Sequence, residues 1–245
     1  EMNNTNYGLF SSLKRHFTKV AGGLLLWAAA AGCGVTEQQL DLAQQTFTYD
    51  LNFNLTLPNN VIPTVPCPLL DCASLLKAAG VIDNRIAPLC DTSVGSCAAD
   101  VNLTILYILN IAEDPAFKLG IAQRNADSMR DVKMFYGMTN SSNLDIDKID
   151  VYLAPKGVYS RDAAGVAQIG SLGPIAKTSE LPDKANFLLI TDGSPAHAQI
   201  VANIKTPEVP INVLMFVKTR MKAGAPVPAG KIEVRLFPQV TLLDR

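Results

Sequence analysis

Residues 46–57, TFTYDLNFNLTL, put Phe47, Tyr49, Leu51, Phe53, Leu55 and Leu57 at every second position, with a polar residue between each pair. Successive side chains of a β-strand point to opposite faces, so this period of two sets one face against a core and the other in water. Residues 101–111, VNLTILYILNI, repeat the pattern through Val101, Leu103, Ile105, Tyr107, Leu109 and Ile111. Leu106 and Ile108 make the second face of that stretch partly apolar too, which predicts a central strand. Further strands are predicted within 131–138, 146–154, 185–190, 211–218 and 231–243, separated by segments carrying Pro, Gly, Asn and Asp, the residues that favour turns. Seven or more strands with few helices predict a mainly β fold, a two-layer antiparallel β-sandwich, immunoglobulin-like or similar, in which each sheet buries one face against the other.

The predicted helices are short. Asp71 is placed to cap one over 71–80 that Gly80 ends; Ser194 caps another over 194–205, with Pro195 at its first position and Pro207 beyond its end. A third is expected within 113–129. Pro58, Pro63, Pro66 and Pro68 bracket an extended run into a cluster of cysteines, so residues 58–100 read as a disulfide-stapled insertion in a single domain over 46–245.

Upstream, residues 2–19 form a polar start carrying Lys14, Arg15 and Lys19, residues 20–31 are apolar, and small residues then lead to Cys33. That is the layout of a secretory signal peptide. An apolar run of about a dozen residues falls short of the roughly 20 needed to span a bilayer as a helix. Ala30, Ala31, Gly32 and Cys33 resemble the lipobox of bacterial lipoproteins, departing from it where the family prefers Leu and this chain has Ala30. The resemblance implies a diacylglycerol-modified Cys33 and a leader, residues 1–32, cut away just before it. Ordinary cleavage after Ala31, giving a soluble product, is the alternative. Gly34, rather than Asp, after the cysteine implies by the same resemblance an outer-membrane location, on the periplasmic face or the cell surface. Residues 33–45 are then a short lipidated tether.

Cleavage takes Lys14, Arg15, Lys19 and Glu1 from the 21 basic and 22 acidic side chains, leaving 18 and 21. A net charge of −3 argues against nucleic acid as a partner, because that binding needs a dense set of Lys and Arg on phosphates. The other four cysteines, Cys67, Cys72, Cys90 and Cys97, are an even number clustered in an exported chain and read as two disulfides, with all three pairings open. Their spacings of four, seventeen and six intervening residues lack the close C-x2-C pairs usual in structural zinc sites.

Candidate chemistry is sparse. Of two histidines only His197 survives cleavage, which excludes sites built on two imidazoles. Ser194, His197 and Asp192 lie close in TDGSPAHA, but no G-x-S-x-G elbow frames the serine; the simpler reading makes Ser194 a cap, Asp192 part of the preceding turn and His197 an exposed first-turn residue. Asn143, Asp145 and Asp147 alternate as calcium ligands would, yet Lys148 and Ala154 occupy the positions where an EF-hand loop needs Gly and Glu. Gly165, Gly170 and Gly173 are too widely spaced for a phosphate-binding loop and read as a flexible loop. With Trp27 in the leader, no tryptophan remains to stack on sugars.

The order of two strands, VYLAPKG, a Gly-rich loop, LLITDGS, a short helix and two long strands over 131–243 resembles uncharacterised β-sandwich envelope lipoproteins of Gram-negative bacteria, which implies fold and location only. No catalytic residue, metal or cofactor is expected. The favoured function is a non-enzymatic structural or interaction module whose partners are the membrane, through Cys33, and another envelope protein. The alternative is a carrier or sensor holding a lipid or other apolar molecule between its sheets.

Overall fold

The computed structural model describes residues 37–245 except 54, 56, 68–70, 82, 122–125, 207, 208, 244 and 245. The leader and Cys33 lie outside the described residues. In chain order the strands are β1 (Glu37–Asp41), β2 (Gln45–Asp50), β3 (Ile86–Asp91), β4 (Ser96–Leu109), β5 (Met129–Asn140), β6 (Lys148–Ala154), β7 (Ala167–Leu172), β8 (Ser179–Ile190), β9 (Ile211–Met221) and β10 (Lys231–Leu243). Among the described residues three α-helices join them: α1 (Cys72–Ala78), α2 (Pro115–Ile121) and α3 (Pro195–Lys205). Every strand pair is antiparallel. One sheet runs β1-β10-β5-β8, with β2 also on β10, and the second runs β3-β4-β9-β6-β7. This is the two-layer antiparallel sandwich that the alternating pattern predicts.

The period of two is what fills the space between the sheets. Val101, Leu103, Ile105 and Leu109 of β4 and Val213, Met215 and Val217 of β9 are buried in the same apolar cluster as Val132, Met134 and Met138 of β5 and Ile232, Val234, Leu236 and Val240 of β10. Each such side chain taken fully out of water contributes about 1.5–3 kcal/mol against the chain entropy that folding costs. As expected, β4 lies inside its sheet, and its other face leaves Leu106 and Ile108 43% and 58% exposed.

The opening stretch forms less strand than its period implies. β2 ends at Asp50, opposite Lys231, the first residue of β10, and Leu51 N–H still donates to Gly230 C=O. Beyond that β10 offers no residue to pair with, yet Leu51, Phe53 and Leu57 remain buried, and the Arg85 guanidinium lies 4.1 Å from the centre of the Phe53 ring. Alternation records which side chains go inward; it does not supply a hydrogen-bonding neighbour.

Conversely, part of the predicted tether is strand. Within 33–45, Glu37–Asp41 pairs with Leu243–Gln239 as β1. β1 and β2 are two pieces of one edge strand along β10, broken at 42–44 beside Pro238. Leu42 N–H donates to Pro238 C=O at 2.8 Å, but proline has no N–H to return, so the ladder lapses there.

The insertion over 58–100 is likewise built into the sandwich. The disulfides are Cys67–Cys90 and Cys72–Cys97, and Cys90 and Cys97 sit opposite each other in the β3–β4 hairpin. One bond therefore runs to that hairpin from the segment ahead of α1 and the other from the first residue of α1. Asp71 caps α1 by accepting from the N–H groups of Ala73 and Ser74, and Leu76 is fully buried in the main core. β3 was hidden from pattern reading by Pro88, which is tolerated because β3 is a sheet edge. β7 was hidden by Gly170: the expected loop is a strand, and Gly170, at φ +143° beside a register shift with β6, lies where a Cβ would meet Leu188 Cδ2 at 2.8 Å.

Replacing Cys72 and Cys97 together by Ser opens a loop of sequence separation 25 and is expected to lower unfolding free energy by about 2–4 kcal/mol. Urea unfolding of the oxidised proteins measures the difference.

Candidate functional site

The Ser194, His197, Asp192 group is close in space but assembled for structure. Ser194 Oγ accepts from His197 N–H at 3.1 Å, capping α3 as expected, with Pro195 at the first position. His197 is 6% exposed, correcting the expectation of an exposed side chain. The reason is helical spacing: His197, Ile200 and Ile204 share one stripe, and that stripe faces the core. Its Nδ1 lies 3.7 Å from Asp192 Oδ1, and its Nε2 is buried without a partner. Asp192 in turn accepts from Arg130 at 2.7 Å, and that guanidinium holds the carboxyl below its usual range. Neither imidazole nitrogen bonds the serine hydroxyl, so the nucleophile–base link of a hydrolytic triad is not made.

Asn143, Asp145 and Asp147 do not converge on a cation site. Asn143 bonds Val227 C=O and Ala229 N–H at 2.9 Å each, and Asp145 accepts from Lys177 N–H at 2.9 Å. These bonds fix the turn before β6. Among the described residues, the cluster with metal-ligand spacing is Cys67, Cys72 and Cys97, and each of those sulfurs is in a disulfide.

The outer face of the second sheet carries a cleft of about 580 Å³ between β4, β9, β6 and the β6–β7 loop. Tyr159, 61% exposed, and Arg161 come from the loop; Phe216 and Lys218 come from β9, and Asp150 from β6. The Arg161 guanidinium stands 5.5 Å from the Phe216 ring centre, and Phe216 meets Tyr152 edge to face. Asp150 accepts from Ser171 at 2.6 Å and Lys148 at 3.0 Å; burial works against its charge, and these donors outweigh it, so its carboxyl titrates low. At the rim, Asp100 is opposed by burial in the same way, and Arg220 and Lys218, both at 2.9 Å, hold it below the ordinary carboxylate range. A second cleft, about 280 Å³ and mostly apolar, lies beside α3 between Pro155, Ala202, Val209 and Ile211.

The outer face of the first sheet bears an aromatic row that pattern reading missed. Phe187 of β8, Phe135 of β5 and Phe237 of β10 are direct cross-strand neighbours. Phe187 is 50% exposed and its ring centre is 5.4 Å from that of Phe135. Lys133 Nζ stands 5.9 Å from the Phe187 ring and Lys184 Nζ 5.4 Å from the Phe237 ring. Next along the face, Arg235 gathers Asp183, Glu233 and Glu180 at 2.7, 2.7 and 2.9 Å. Gly137 permits this approach, since a Cβ there would fall 2.9 Å from the Asp183 Cα. The available signal was the run KMFYGM, apolar on both faces of one strand.

No protein-family model matches this chain, and no curated protein matches it.

Ser194→Ala is expected to cost about 1 kcal/mol through loss of the cap, read by thermal or chemical unfolding. Asp100 has a depressed folded-state pKa, so its contribution is present above the unfolded carboxylate pKa of about 4 and disappears as pH falls through the folded value. Asp100→Asn is expected to be less stable at neutral pH and to lose less stability on acidification, which a series of unfolding curves from neutral to acidic pH measures.

Proposed function

We propose that this chain is a non-catalytic, lipid-anchored protein of the bacterial outer membrane that serves as an interaction module for another envelope protein. Acyl chains on Cys33 hold it to the bilayer, and the groove on the outer face of the second sheet receives the partner. The observation that carries the reading is the groove's composition. Exposed Tyr159, Arg161 laid against Phe216, and charges of both signs around them form an open surface rich in the residue types that dominate protein interfaces. The leader's likeness to a lipobox supports the anchor, and two disulfides support an oxidising compartment. A carrier calls for an apolar cavity of a few hundred cubic ångströms between the sheets; the apolar cleft of about 280 Å³ lies beside α3 instead, on the surface.

The test is gentle detergent extraction from the host membrane, native mass spectrometry, and intact mass before and after reduction. The expected species begins at Cys33, carries covalent acyl chains, gains four hydrogens on reduction and retains a protein partner. Tyr159→Ala with Arg161→Ala is expected to weaken that complex at least about tenfold, as loss of interface anchors does. Covalent lipid with no partner at any concentration, or a bound lipid-sized mass in its place, overturns the interaction reading.

A further inference from the structure

Cys33 stands four residues before Glu37, the first residue of β1, and β1 belongs to the first sheet. Four residues reach at most about 14 Å, so acyl chains on Cys33 keep that end of the first sheet next to the bilayer. We infer that the outer face of the first sheet, centred on Phe187, Phe135 and Phe237, lies on the phospholipid surface that holds the anchor. The inference rests on the Cys33 anchor proposed above and adds to it an orientation: first sheet toward lipid, second sheet and its groove away from it.

The face is ordered for that task from the tether outward. Glu37 pairs with Leu243, and Phe237 lies six residues back along β10, about 20 Å at the rise of a strand. Between them comes the row Leu189, Lys133 and Gln239, with Leu189 46% exposed. The Phe row follows, and beyond it the carboxylates of Glu180, Asp183 and Glu233 around Arg235. Asp41, which accepts from Gln239 at 2.7 Å, extends the Leu189 row onto β1, and Asp131 stands two residues before Lys133 on β5, so carboxylates border the patch at both ends and the rings, Leu189 and the two lysines form its centre. Lys133 and Lys184, each with its ammonium over a ring, have the amphipathic form that sets a stem along apolar surface and a charge among headgroups. Rings and leucine below, lysines at the boundary, is the chemistry of interfacial binding. Three partly exposed rings make a weak membrane contact alone, but a tether this short holds the face at an effective concentration on the order of millimolar, so a weak contact is enough to orient the domain.

The chain's one tryptophan, Trp27, precedes Cys33, so the cleaved protein has none and single-tryptophan reporters are clean. Phe187→Trp and, as a second reporter at an independently exposed position, Leu189→Trp test the lipid-facing side. Tyr159→Trp tests the opposite sheet. Each acylated protein is reconstituted into vesicles of phosphatidylethanolamine and phosphatidylglycerol with brominated acyl chains, recovered by flotation and weighed intact. Both first-sheet reporters are expected to be quenched at least about threefold more than Tyr159→Trp, as insertion about 5–10 Å into the headgroup boundary requires. Acylated protein that floats with all three reporters unquenched, or equally quenched, overturns the orientation while leaving the anchor intact. First-sheet reporters that stay unquenched while the floated protein crosslinks as a dimer assign the face to a second copy and also overturn it. Protein without covalent lipid that fails to float overturns the anchor and this orientation together.

Discussion

Strand β10 must satisfy three other strands at once, and the sandwich depends on its doing so. One edge of its backbone meets β5 over nearly its whole length; the other meets β2 and then β1. Its single proline falls where it costs least. Pro238 keeps its C=O bond to Leu42, and the N–H it lacks would have pointed at the edge strand, not into the sheet interior. The edge strand is divided as a result, while the ladder with β5 runs past Pro238 paired with Met134. A proline one residue to either side would have broken the β10–β5 ladder and loosened the face that buries Met134 and Leu236.

The sequence pattern carried the fold class because alternation and sandwich burial are the same fact seen twice. Val101, Leu103 and Ile105 fall on the inward side of the period, and they are buried. Features set by distant partners leave no such local trace. Residues 51–57 alternate as a strand does, but their would-be neighbour ends at Lys231. β3 and β7 contain Pro88 and Gly170, residues that argue against a strand locally; Pro88 is acceptable because β3 became a sheet edge, and Gly170 because it sits at a register shift where Leu188 comes close. The cap at Ser194 was legible, being a local hydrogen bond. The burial of His197 was not, since it depends on how α3 packs on its neighbours.

The same limit applies to the site. Aromatic residues at outward positions of three separate strands carry no joint signal until register brings them together. Phe135, Phe187 and Phe237 are one row only because β8, β5 and β10 are aligned with them in step. The groove on the other sheet has a similar origin: Arg161 is far from Phe216 in sequence, and the β6–β7 loop folds back over β9 to bring them within 5.5 Å. The molecule thus has two outward faces of different character, one centred on an aromatic row, the other grooved and mixed. The described clefts open at the surface, and the sandwich between the sheets is filled by Leu, Ile, Val and Met.

The cysteine pairing bears on how the chain acquires its bonds. In sequence the nearest neighbours are Cys67 with Cys72 and Cys90 with Cys97, yet the bonded partners are 23 and 25 residues apart. Closing the short loops costs roughly 1 kcal/mol less chain entropy than closing the long ones, and the β3–β4 hairpin holds Cys90 facing Cys97. An unfolded chain oxidised at random therefore favours the wrong pairs, leaving the strap around α1 unfastened. Correct bonding has to wait for the strap to dock or be repaired by thiolate exchange, which makes the yield of native protein depend on how fast mispaired bonds can be exchanged.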